Sequence, residues 1–267
     1  MIQFHPEQCI GCGKCVWDCF PGAISMENGK PVLTSPDSCL KCGHCIAICP
    51  KGAVYDDTLT DTEPIQPGAS PEALLSLMRA RRSCRHFRQE NVSEAHLQTL
   101  LEAARACPTA KNLQATRYIA VTEAIPALLD AALNTLGKIG AAQLASDDPN
   151  ELRRARNFIR WSTARADDPT FDPLFFGAPL LLIFVSDEAG ARDAAAAASY
   201  CELMAASLGL GCLYSGYFTA CAANSPEIRS ILALREGESA VRCLVLGHPD
   251  VKFLRTAPRK VPDLTQL

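Results

Sequence analysis

The 267-residue chain lacks any long hydrophobic run. Its best apolar stretch, Ala178 to Val185, is interrupted by Pro179 and is only strand-sized. A membrane helix needs about 18 or more apolar residues, so no spanning helix is expected. The N-terminus, Met1-Ile2-Gln3-Phe4-His5-Pro6, has no basic segment ahead of an apolar run, so no signal peptide is expected and the chain reads as cytoplasmic. It also lacks an excess of either charge. Lys and Arg number 26, Asp and Glu 29, and the net charge is −3, with a pI of about 6.0. That balance gives no general attraction to nucleic acid or to an anionic membrane. The G-x-G-x-x-G dinucleotide fingerprint is missing as well. Hydrophobic residues still make up 48% of the chain, enough for a substantial core.

Cysteine is abundant and unevenly placed. Eight of the 14 cysteines lie between Cys9 and Cys49, and the other six are scattered. Clustered cysteines in a reducing compartment point to metal rather than to disulfides. Residues 9–24 read CIGCGKCVWDCFPGAI and residues 39–54 read CLKCGHCIAICPKGAV. The two align at an offset of 30 residues, matching all four cysteines, Gly13 with Gly43, Gly22 with Gly52 and Ala23 with Ala53. Each repeat has the spacing C-x2-C-x2-C-x3-C, in which three close cysteines wrap one cluster and the fourth ligates the other. The expected ligand sets are Cys9, Cys12, Cys15 with Cys49, and Cys39, Cys42, Cys45 with Cys19. Zinc sites use paired C-x2-C units separated by longer spacers, so zinc is the weaker reading. Phe20 intervenes between Cys19 and Pro21, whereas Pro50 directly follows Cys49. This alters one turn and removes no ligand. Residues 1–55 resemble the bacterial two-cluster ferredoxins, and the resemblance implies two [4Fe-4S] clusters.

Residues 56–71, DDTLTDTEPIQPGASP, lack apolar periodicity and hold three prolines, which marks a linker. A larger domain is expected over 72–267. It opens with a helix capped by Ser70 and Pro71, and a second helix begins at Ser93 with Val92 and Leu97 as a staple. Strands are expected near 117–122, 180–186, 212–217 and 241–246. Helices are expected near 125–145, 151–165 and 191–208, with a short one capped by Ser225.

Three segments carry a second resemblance. Arg79–Arg88 reads RARRSCRHFR, five arginines in ten residues, which suits an anion. Its core, Arg81-Arg82-Ser83-Cys84-Arg85, resembles the R-R-S-x-R segment of the FMN-dependent nitroreductase family, which holds the flavin phosphate and ribityl chain. Pro108-Thr109-Ala110-Lys111-Asn112-Leu113-Gln114 resembles that family's P-S-x-x-N-x-Q segment along the flavin. Gly247-His248-Pro249 followed by Arg259-Lys260 resembles its closing G-Y-P and R-K segment. By family position Ser215 and Gly216 face the flavin. Thr109, Lys111, Ala115, Thr116 and His248 depart from the usual residues, on the substrate side.

The resemblance implies an α+β fold: a nitroreductase-like αβα sandwich with a mixed central sheet, beside the small ferredoxin-like domain. It also implies FMN, a homodimer and a small-molecule acceptor such as a nitro compound, quinone or activated alkene. No catalytic side chain is named by it. The donor is open among NAD(P)H, an external ferredoxin and a flavodoxin. The alternative is a non-enzymatic electron carrier or redox sensor that acts through a protein partner.

Overall fold

The structure, a computed structural model, describes residues 1–59, 61–66 and 68–267. Thr60 and Pro67, both in the expected linker, lie outside the described residues. The chain divides into two compact units, Met1–Gly68 with Pro108–Gln114, and Ala69–Cys107 with Ala115–Leu267.

The first unit repeats itself as its sequence does. β1 (Gln3–Phe4) pairs antiparallel with β4 (Val54–Tyr55). Between them lie the short helices α1 (Lys14–Trp17) and α2 (His44–Ala47) and a hairpin of β2 (Ile24–Glu27) and β3 (Lys30–Leu33). Asn28 and Gly29 turn the hairpin with φ of 49° and 78°, the two positive values that a tight two-residue turn demands. Ile2, Ile24 and Val54 pack with Cys15 and Cys45 in a core of its own.

The second unit is built on one sheet in the order β5 (Arg117–Val121), β6 (Leu180–Ser186), β8 (Ser239–Gly247), β7 (Gly211–Tyr214). All three pairings are antiparallel. The mixed character is confined to an isolated parallel bridge from Ser83 to Cys212. Every residue of β6 is buried, as its unbroken apolar run dictates. Alternate side chains divide the interior. Leu181, Ile183 and Val185 join a core roofed by α5 (Ile125–Gln143), α6 (Pro149–Asp167), α8 (Gly216–Asn224) and α9 (Pro226–Ile231). Leu180, Leu182 and Phe184 join another, under α4 (Glu94–Arg105) and α7 (Ala191–Ser207). Two helical layers with a sheet between them make the αβα sandwich.

The caps sit where the sequence puts them. Ala73 N donates to Ser70 Oγ at the start of α3 (Pro71–Ala80), and His96 N donates to Ser93 Oγ at α4, each at 3.2 Å. One element differs from expectation. β7 stops at Tyr214 rather than running to residue 217, and Gly216 opens α8. The Ser215 hydroxyl donates to Leu174 O, and Phe218, Cys221 and Ala222 then bury one helical face. No helix among the described residues is long and apolar enough to cross a membrane.

α5 and α6 form the closest helix pair, and two glycines allow it. A Cβ on Gly140 would lie 2.6 Å from Ala155 O, and one on Gly137 would lie 2.8 Å from Ser162 Oγ. Gly140→Ala therefore forces the backbones apart, at an expected cost of about 1–3 kcal/mol. A lowered melting temperature of the helical circular-dichroism signal is the expected result; an unchanged one contradicts the packing.

Candidate functional site

Each cysteine loop enters its helix through a left-handed glycine. Gly13 and Gly43 take φ of 71° and 79° at the N-caps of α1 and α2, a conformation open to glycine at little cost. The turn lets three cysteines of one loop face inward. Cys9, Cys12, Cys15 and Cys49 bound one hollow, so the fourth thiol of the second repeat stands with the first three of the first repeat. On the other side, Cys45 feels the charges of Cys42, Cys19 and Cys39. Both groupings are the crossed sets expected from the spacing. Backbone N–H groups reach two of the sulfurs, Gly11 N to Cys9 Sγ at 3.4 Å and Ala53 N to Cys49 Sγ at 3.2 Å. Lys30 Nζ holds the Cys9 carbonyl at 2.6 Å.

Among the described residues, no three His, Cys, Asp or Glu side chains converge on a position for one metal ion. A single zinc draws its sulfurs to about 2.3 Å. Four thiols around one hollow are the donor set that a [4Fe-4S] cluster takes. Burial pushes the Cys45 thiol up to about 12 and the Cys15 thiol upward as well, so it is a metal's charge that would hold them as thiolates.

The segment Pro108–Gln114 groups with this first unit. Ala110–Asn112 makes a single 3-10 turn, and Lys111, Asn112 and Gln114 all take positive φ (56°, 55° and 49°). Thr109 Oγ1 accepts from Gln114 N at 3.1 Å and closes the loop. Strained backbone of this kind costs about 1–3 kcal/mol per residue and gathers at binding segments.

In the second unit the arginine run does not form one anion site. Past α3 the chain is extended, so its side chains diverge. Arg81 reaches Glu202 on α7 at 2.8 Å. Arg82 lies over the Phe253 ring at 5.9 Å, and Ser83 bridges to Cys212. Arg85 turns the other way, 6.0 Å from the Phe176 ring, and lines a cavity of about 810 Å³. Ser215 and Gly216 line the same cavity. Arg259 and Lys260 lie in an exposed, extended tail. Cys84 is buried, its thiol donates to His86 O, and burial pushes it up, as it does Cys107. Both are poor thiolates and behave as core residues.

The cavity's other walls escaped the sequence reading. α6 contributes Arg154, Phe158 and Trp161, α5 ends in it at Gln143, and Tyr217 comes from α8. Arg154, Phe158 and Trp161 are spaced four and three apart on one helical face, a pattern the sequence does contain. Its size and mostly apolar lining suit a planar organic group.

The model of the nitroreductase family matches residues 78–248, which takes in this sheet, both helical layers and the cavity. The chain belongs to the nitroreductase family. A 4Fe-4S dicluster domain model matches residues 8–53, so this family member also carries an iron–sulfur module. A nitroreductase with bound FMN from Desulfitobacterium hafniense DCB-2 is 26% identical, with 73% of this chain and 97% of that one covered at a TM-score of 0.52. A nitroreductase with bound FMN from Bacteroides fragilis NCTC 9343 shares the fold at 22% identity, 73% and 98% coverage and a TM-score of 0.53. An FMN-dependent nitroreductase from Clostridium difficile R20291 does so at 19% identity, 74% and 100% coverage and a TM-score of 0.55. No curated protein matches the chain. Family membership makes it an oxidoreductase.

The crossing of the cysteine sets is testable by pairs of variants. Cys12→Ala with Cys49→Ala removes ligands from one hollow, so about four of about eight irons are expected to remain. Cys42→Ala with Cys49→Ala strikes both, and near-complete iron loss is expected. The reverse order of iron contents contradicts the crossed sets.

Proposed function

We propose that this chain is an FMN-dependent reductase fed by its own two [4Fe-4S] clusters, delivering electrons to a small organic acceptor. What supports the reading is a single conjunction: two crossed sets of four cysteines share a chain with a nitroreductase fold. The chemistry that the bound cofactors supply is the conversion of single electrons, carried by clusters, into the pairs that organic acceptors take up at a flavin. A nitro compound, a quinone or an activated alkene each accepts two electrons together with two protons, so all three are in range.

The chain's own residues have defined work in this reading. Cys9, Cys12, Cys15 and Cys49 hold one cluster, and Cys39, Cys42, Cys45 and Cys19 the other. Arg81, Arg82 and Ser83 serve the phosphate and ribityl end of FMN, with Cys84 as buried backing. Arg85 is assigned to the ring end, with Ser215 and Gly216 lining the same cavity. A guanidinium there favours negative charge developing on the ring, and the apolar walls exclude water. Pro108, Thr109, Ala110, Asn112 and Gln114 are assigned to the flavin by motif, as are Arg259 and Lys260. Arg85, Ser215 and Gly216 line one cavity, and the family resemblance favours a homodimer. The electron donor is taken from NAD(P)H, a ferredoxin or a flavodoxin, in the reducing cytoplasm that suits cluster proteins. A pure carrier would have no use for an 810 Å³ apolar cavity beside the flavin residues.

Anaerobic purification followed by metal, sulfide and flavin assays tests the reading. About eight irons, matching sulfide and about one FMN per chain are expected. Zinc in place of iron, or the absence of flavin, overturns it. Arg85→Ala is expected to lower FMN content several-fold at full iron content; unchanged FMN rejects the role given to Arg85.

A further inference from the structure

The cavity beside Ser215 holds more polar chemistry than flavin binding uses. Arg154, on the second turn of α6, lines it on the same helical face as Phe158 and Trp161. Its side chain is 42% exposed, and a single nitrogen, Nη2, is engaged, at 3.2 Å from Glu151 Oε1. Glu151 does not line the cavity, and its other oxygen accepts from Ser146 Oγ at 2.7 Å. Among the described residues the remaining Arg154 donors have no hydrogen-bond partner, and no Asp or Glu lines the cavity. Gln143, at the end of α5, also lines it. Its Oε1 is buried without any hydrogen-bond partner among the described residues, so the protein leaves there an acceptor that a ligand's donor would satisfy.

The apolar part is aromatic. Phe158, Trp161 and Tyr217 form a closed triangle: Tyr217 meets Phe158 and Trp161 edge to face at centroid distances of 5.3 and 5.7 Å, and Phe158 and Trp161 are tilted at 6.0 Å. In a chain with only 6% aromatic residues this is a concentrated wall. Such rings offer edges and faces to a flat, conjugated molecule. Arg154's planar fork matches a carboxylate through two parallel N–H···O bonds, which a neutral acceptor cannot form.

We infer that the acceptor is a planar aromatic carboxylate, its ring against Phe158, Trp161 and Tyr217 and its carboxylate on Arg154, with Gln143 Oε1 available to acceptors that also carry a donor. The inference rests on the proposal that the cavity is the acceptor side of an FMN site. It narrows that proposal from any reducible organic molecule to an anionic one, and Arg154 becomes the residue that sets specificity.

Calorimetric titration of the oxidised, cofactor-loaded protein with 4-nitrobenzoate and with its neutral counterpart 4-nitrobenzamide tests it, with FMN content measured on the same sample. The carboxylate is expected to bind at least about tenfold more tightly, about 1.4 kcal/mol. Arg154→Gln is expected to bring 4-nitrobenzoate down to the level of 4-nitrobenzamide and to leave the amide within about twofold. Arg154→Lys keeps the charge without the fork and is expected to retain part of the preference. Equal affinities in the FMN-loaded native protein, or a preference that survives Arg154→Gln, overturn the inference and leave the flavin reading standing. Protein that carries no FMN overturns the flavin reading itself.

Discussion

Two of the eight clustered thiols, Cys15 and Cys45, are buried and resist ionisation. Cys45 is pushed up to about 12, first by burial and then by the charges of Cys42, Cys19 and Cys39. Burial therefore opposes the thiolate form of Cys15 and Cys45, which a cationic metal centre would favour. The rest of the first unit serves that requirement. Gly13 and Gly43 bend each loop around its hollow, and β1 with β4 ties the ends of the unit. Its apolar core includes Cys15 and Cys45, two of the proposed ligands, so in that reading the metal and the core are built from the same residues.

The second unit depends on a different constraint, the two-sided burial of β6. Because its residues face two cores in alternation, helices must cover both faces of the sheet. The face under α5 and α6 is left with a cavity that Phe158 and Trp161 of α6 line. Arg85, Ser215 and Gly216, which are proposed to face the flavin, line its wall. The fold thus places a cationic donor, a short helix start and an aromatic surface around one space, which is what a flat, electron-accepting ligand needs.

Much of this was legible from residues close together in the sequence. The cysteine repeat at an offset of 30 is mirrored in α1 and α2, each entered through the aligned glycine. Ser70, Ser93 and Ser225 marked helix starts because a cap is a local interaction. The features that escaped depend on distant partners. Cys212 to Tyr217 reads as a strand by composition, yet Ser215 leaves the sheet to bond Leu174 O and α8 begins at once. The arginine run looked like one site because nothing in it shows that an extended chain sends Arg81 to Glu202 and Arg85 to the opposite side. Gln143 and Arg154 became visible only when α5 and α6 were paired. The Asn28-Gly29 turn of the β2–β3 hairpin was a local signal that the cysteine motifs overshadowed.

The central claim is that clusters and flavin work as one electron store that empties into an organic acceptor. Counting electrons tests it most directly. Anaerobic protein is fully reduced, freed of excess reductant and titrated with a quinone while the visible spectrum is followed. Two clusters holding one electron each and a flavin holding two give about four electrons per chain, so about two quinone molecules should be reduced before the spectrum is fully oxidised. An endpoint at about one quinone per chain, with the cluster absorbance still bleached, contradicts the account, because the clusters would then not feed the flavin.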